Sequence, residues 1–153
     1  MEYLRFRRVA AALVLFALVA PCALGGRERP SVEELKGRLA NAGMADRPPL
    51  CIQISELHLE EADRLYVAGD SEKAQAVLSD VVTYAELARD SAIQSHKHEK
   101  ASEIAIRKMA RKLNDVKHTV SHDDQEQIQT TINRLQSIRD DLLAAMFPKV
   151  GKK

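Results

Sequence analysis

The stretch "QSHKHEKASE" (residues 94–103) stands in the middle of a segment, residues 71–120, that contains neither Gly nor Pro. Such a segment favours one uninterrupted helix, because Gly and Pro are the residues that most often end helices. At 1.5 Å per residue, that helix would be on the order of 75 Å long. Whether the chain runs straight or bends near residues 88–99 decides the architecture.

A regular seam runs along this segment, with residues suited to helix packing at alternating steps of four and three. The ends of the seam are large and apolar, whereas its middle is small or polar. We call this middle part the waist; it consists of Ala88, Ala92, Ser95, Glu99 and Ser102. If it stays exposed, the waist is the expected docking surface for a partner helix or a second copy of the chain.

Amphipathic segments flank the long one. The segment that ends at Gly69 can fold back over its first half, and the segment that opens at Ser121 can fold back over its second half. The composition, rich in Ala, Leu, Glu and Lys with few aromatic residues, also favours helices. We therefore predict an all-α fold, either antiparallel hairpins that share one long central helix or a three-helix bundle.

The N-terminal residues 1–25 have the pattern of a signal peptide. Arginines precede the apolar run "VAAALVLFALVA" (residues 9–20), which is short for a membrane span, and small residues at Ala23 and Gly25 suit a cleavage site. A retained anchor and a lipid-modified Cys22 are the alternatives. The pattern predicts an exported protein, periplasmic or secreted, without stable membrane insertion after cleavage.

Helix-capping and helix-breaking residues divide the remaining chain into three parts. These are a short helix from Ser31 with a Pro-containing linker (residues 26–49), a helical domain (residues 50–147) and a basic tail (residues 148–153). Cleavage would remove three arginines and one glutamate, so the net charge changes from +1 to −1. This balance predicts no nucleic-acid partner. The mature chain keeps a single cysteine, Cys51, which is either buried or paired between chains.

The stretch also contains metal-ligating residue types. On a continuous helix His96, Glu99 and Glu103 share one face, while His98 points about 200° away from His96. A metal site would need further ligands from a second helix. A metal-binding or metal-sensing bundle is therefore the alternative to a protein that acts in protein-protein interaction or as a structural component of the cell envelope.

One local pattern resembles a known family. "ADRLYVAGDSEKAQAVL" (residues 62–78), with Ala62, Gly69, Asp70 and Ala74, looks like the helix-helix junction of a tetratricopeptide repeat. The resemblance covers about residues 58–82, in a single copy, and implies a tight helical hairpin. No nucleophile sits in a Gly-flanked turn and no Gly-rich loop is present, so the sequence predicts neither an enzyme nor a bound cofactor.

Overall fold

The computed structural model describes residues 29–148. All regular secondary structure in this part of the chain is helical, with no strand, which confirms the all-α prediction. The five helices are α1 (Val32–Ala40), α2 (Arg47–Val67), α3 (Ser71–Ser95), α4 (Glu99–Lys117) and α5 (His122–Met146).

Local sequence explains where the first two helices begin. Ser31 caps α1, because its Oγ accepts a hydrogen bond from the backbone N–H of Glu34 at 3.2 Å. Pro48 and Pro49, which we expected in a linker, lie in the first turn of α2. A proline is tolerated there because the first helical N–H groups have no partner within the helix.

Helices α2 and α3 form the predicted antiparallel hairpin. Gly69 turns the chain with φ of 80°, and Asp70 caps α3 by accepting from the N–H of Lys73 at 3.4 Å. Farther from the turn, the Ser55 hydroxyl donates to the Val81 carbonyl oxygen at 2.7 Å. The two helices therefore stay in register over several turns.

Of the straight and the bent alternatives for residues 71–120, the structure has the bent one, because the chain breaks at residues 96–98. His96 and His98 both adopt left-handed backbone conformations, with φ of 53° and 62°. The N–H of Lys97 donates to the Ala92 carbonyl at 3.2 Å, which closes the end of α3. The break occurs within "QSHKHEKASE" and allows α4 to turn back toward the rest of the molecule.

Helices α4 and α5 form a second antiparallel hairpin, as the pattern predicted. Lys117 Nζ donates to Gln129 Oε1 at 2.7 Å near the turn, and Arg139 Nε donates to Glu103 Oε1 at 2.7 Å farther along. The apolar stripes of the two helices are buried: Ile106, Met109, Leu113 and Val116 on α4, and Ile128, Ile132, Leu135, Ile138 and Leu142 on α5.

The two hairpins pack against each other around one core, with α3 along α5 and α2 against α4. Side-chain bonds between the hairpins show that α3 and α5 run parallel: Ser71 with Asp124, Glu86 with Arg134 and Arg89 with Asp141. Helix α1 lies on α2. The architecture is thus two antiparallel hairpins that are joined by a bend and packed around one core, rather than hairpins that share one straight central helix.

Candidate functional site

A groove opens where the chain before α1, α1 itself, α2 and α4 meet. It has a volume of about 560 Å³, within the range of binding pockets. The lining residues are Arg29, Pro30, Leu35, Gln53, Glu56, Leu57, Leu59, Glu60, Lys108, Met109 and Lys112. These residues come from distant parts of the sequence, so the groove exists only because the two hairpins pack together.

The floor of the groove is apolar. Leu35, Leu59 and Met109 are almost fully covered by their neighbours, with exposed fractions of 0%, 3% and 2%. Ser55 lies beneath Met109, with its Oγ 3.4 Å from the methionine sulfur. The thioether is a flexible and polarizable group that can adapt to an apolar side chain placed against it.

The rim carries charges of both signs. Arg29 Nη1 pairs with Glu60 Oε1 at 3.2 Å, and Lys112 Nζ lies 3.3 Å from Asp63 Oδ2. Lys108 takes part in none of the ion pairs found among residues 29–148. The groove therefore has an exposed cation, Lys108, above an apolar floor.

Glu56 is the carboxylate opposite this cation. Partial burial raises the pKa of Glu56, and the neighbouring Glu60 raises it further, while Lys108 and Arg29 act in the other direction. Glu56 and Glu60 are four residues apart on α2, as Lys108 and Lys112 are on α4, so each pair lies on one helix face. One wall of the groove is acidic and the other is basic.

The waist does not form one exposed face in this structure. Ala88, Ala92 and Ser102 are buried within the chain, whereas Ser95 and Glu99 are partly exposed on either side of the helix break. The small side chains at these positions allow close packing of helices inside one molecule. The docking surface expected from the heptad pattern is therefore largely used by the chain's own core.

The metal-ligand candidates are not brought together. His96 Nδ1 lies 3.6 Å from Glu99 Oε1, but Glu103 is turned to Arg139 at 2.7 Å and Arg107 at 3.6 Å. His96 lies beyond the end of α3, so the helical spacing that placed the three residues on one face does not apply. Within residues 29–148, no group of three or more His, Cys, Asp or Glu side chains is arranged to hold a metal ion.

The sole cysteine of the described chain, Cys51, is free and has an exposed fraction of 1%. Burial raises its pKa to about 11, partly opposed by the charge of Arg47, so the thiol stays protonated at neutral pH. The buried alternative is confirmed. Ala23, Gly25 and Cys22, on which the export and lipidation hypotheses depend, lie outside the described residues.

Between residues 29 and 148, no helix combines the length and the apolar character that crossing a membrane requires. The junction that resembles a tetratricopeptide repeat falls on the α2–α3 turn, where Ala62 and Ala74 are fully buried. Comparison of the chain with known protein families, curated proteins and solved structures finds no match. The resemblance therefore stays limited to one hairpin.

Proposed function

We propose that this chain is an exported, non-enzymatic protein that binds a segment of another protein in the groove between α1, α2 and α4. The observation that carries the proposal is an apolar floor of Leu35, Leu59 and Met109 beneath a rim in which Lys108 has no ion-pair partner among residues 29–148. The partner segment has an apolar anchor residue and an acidic side chain next to it.

The apolar anchor follows from the shape and chemistry of the floor. Leu57 lines the opening and is partly exposed, so the groove has apolar surface that a ligand can cover. Full burial of one Leu-sized or Phe-sized side chain contributes about 1.5–3 kcal/mol. Anchors of this kind, placed in a pocket and ringed by polar contacts, supply most of the affinity in many protein interfaces.

The acidic neighbour follows from the charges of the two walls. A carboxylate beside Lys108 would gain an ion pair, whereas the same group beside Glu56 and Glu60 would be repelled. The two walls therefore favour one orientation of the bound segment and disfavour the reverse.

A photo-crosslinking amino acid at Gln53, an exposed position on the groove, identifies the partner in the cell envelope. The matched control places the same group at Glu126, an exposed position on α5 away from the groove. We expect a defined protein to be crosslinked from Gln53 and not from Glu126. Equal crosslinking from both positions would contradict the proposal.

Binding of the identified protein to the purified mature chain then tests the chemistry by calorimetry. We expect Lys108→Glu to weaken binding by roughly tenfold, as for a charge at an interface rim. Lys100→Glu, also exposed on α4 but distant from the groove, is the matched control and should have no effect. Equal affinities for the wild type and Lys108→Glu would refute the role of the groove.

A further inference from the structure

The loop between α3 and α4 is short and adopts an unfavourable backbone conformation. It consists of His96, Lys97 and His98, and the two histidines have φ of 53° and 62°. The left-handed region is disfavoured for residues with a Cβ atom, and Gly is the residue that usually occupies it. The chain thus reverses direction at this loop without a Gly at either left-handed position.

The two helix ends at this loop differ in their capping: the backbone N–H groups of His96 and Lys97 close the end of α3, whereas the start of α4 has no side-chain cap. His96 occupies the position after α3 where Gly is commonest. His98 stands before α4, and its side chain makes no capping hydrogen bond. In the first turn of α4, a buried oxygen of Glu99, Oε1, has no hydrogen-bond partner. The closed loop therefore leaves the start of α4 without the side-chain cap that commonly stabilises a helix N-terminus.

The same residues are compatible with a continuous helix. Residues 71–120 contain no Gly or Pro, and the heptad spacing continues across the loop from Ala92 through Ser95 and Glu99 to Ser102. Straightening the loop would return His96 and His98 to the right-handed region and add helical hydrogen bonds. It would also separate the α2–α3 hairpin from the α4–α5 hairpin of the same chain.

We propose that two copies of this chain form a domain-swapped dimer in which α3 and α4 join into one helix across residues 96–98. Each α4–α5 hairpin then packs on the α2–α3 hairpin of the other copy. The contacts between hairpins are all remade, including those of Glu86 with Arg134 and of Ser71 with Asp124. The shared core of the two hairpins is kept, so the exchange changes only the loop.

This dimer goes beyond the groove function and does not depend on it. Lys108 and Met109 lie on α4, whereas Glu56 and Leu59 lie on α2. In the exchanged dimer each groove is consequently built from two chains. The lining residues of the groove are the same in the monomer and in the exchanged dimer. The dimerisation experiment and the groove experiment therefore test independent proposals.

Loop substitutions test the proposal by light scattering after size-exclusion chromatography, on mature protein refolded at high concentration. His96→Gly with His98→Gly favours the left-handed loop and disfavours the helix, while His96→Ala with His98→Ala does the opposite. Together, the preferences of Gly for the left-handed loop and of Ala for the helix change the equilibrium between the two conformations by roughly 30-fold per residue. Two residues per loop give roughly 900-fold, so we expect the dimer-to-monomer ratio to be at least about 900-fold higher for the alanine variant than for the glycine variant.

His118→Ala is the control, because His118 also lies at a helix end but has an ordinary φ of −77°. It should leave the ratio unchanged. If the alanine variant folds poorly, the comparison of wild type with the glycine variant decides the question, since the glycine variant should form fewer dimers. Monomers for all variants, or equal dimer fractions for the alanine and glycine variants, would overturn the proposal.

Crosslinking distinguishes an exchanged dimer from two intact chains side by side. The variant carries Glu86→Cys and Arg134→Cys in a Cys51→Ala background and is treated with a short bis-maleimide. Residues 86 and 134 contact each other across the interface between the two hairpins. An exchanged dimer yields covalently linked chains, while a side-by-side dimer yields only links within one chain and refutes the proposal. Lys117→Cys with Gln129→Cys, within the α4–α5 hairpin, should link within one chain in every case.

Discussion

Glu103 offers a quantitative test of the packing between α4 and α5, because one carboxylate oxygen faces two arginines in different surroundings. Its side chain has an exposed fraction of 9%. Arg139 Nε lies 2.7 Å away and that side chain is 33% exposed, whereas Arg107 Nε lies 3.6 Å away and is 42% exposed. The two pairs therefore differ in distance, burial and hydrogen bonding while sharing one acceptor.

The expected coupling energies follow from this difference. A charge-assisted hydrogen bond contributes about 1.5–3 kcal/mol, and partial exposure of Arg139 reduces this to about 1–2 kcal/mol through solvent screening. The exposed pair with Arg107, at a spacing of four residues on α4, is expected to contribute only about 0.3–0.5 kcal/mol. Removing Glu103 thus mainly affects the contact between α4 and α5.

Two double-mutant cycles measure these values. One combines Glu103→Gln with Arg139→Gln and the other combines Glu103→Gln with Arg107→Gln, with free energies of unfolding taken from urea denaturation followed by circular dichroism. We expect the first coupling to exceed the second by about 1 kcal/mol. Equal couplings, or a first coupling near zero, would refute the view that Arg139 holds Glu103 in the α4–α5 interface.

Three further predictions use the same denaturation assay. Tyr66→Phe should stabilise the protein by about 0.5–1.5 kcal/mol, because the buried Tyr66 hydroxyl has no hydrogen-bond partner; destabilisation would mean that the hydroxyl is satisfied in solution. Burial lowers the pKa of His58, whose buried Nε2 has no hydrogen-bond partner. The unfolded state therefore binds a proton at His58 more readily than the folded state does, and the free energy of unfolding should fall as the pH drops below about 6.5. His58→Phe should remove this part of the pH dependence, and an unchanged profile would contradict the assignment. Gly69→Ala should cost about 1–2 kcal/mol because φ is 80° there, whereas Gly37→Ala in α1 should stabilise by about 0.5–1 kcal/mol; similar effects at both glycines would refute the role of the turn.

Much of the fold could be predicted because its signals are local. Ser31, Gly69 and Asp70 mark helix ends through chemistry that lies within a few residues of each end, and the structure has these helix ends as expected. The apolar stripe from Ile128 to Leu142 likewise needed only helical periodicity. In each case the residues that determine the structure are neighbours in the sequence.

The groove could not be predicted, since its walls come together only through packing between the hairpins. Glu56 and Lys108 are 52 positions apart, and each looks like an ordinary charge on a solvated helix face. Nothing in either local pattern indicates that α2 meets α4 with Met109 beneath them. Within one chain, the bend at residues 96–98 places these helices side by side.

That bend opposes local preference, and packing explains why it forms. In one monomeric chain, a straight helix over residues 71–117 would be about 70 Å long and would hold the two hairpins apart, with one apolar side of each facing water. Folding back buries Val81, Ala85 and Leu135 in a single core, a gain that exceeds the cost of two residues in the left-handed region. A second copy offers the same burial without that backbone cost. In the exchanged dimer that we propose, residues 96–98 are helical, so their conformation depends on protein concentration as well as on sequence, and the heptad periodicity continues through them.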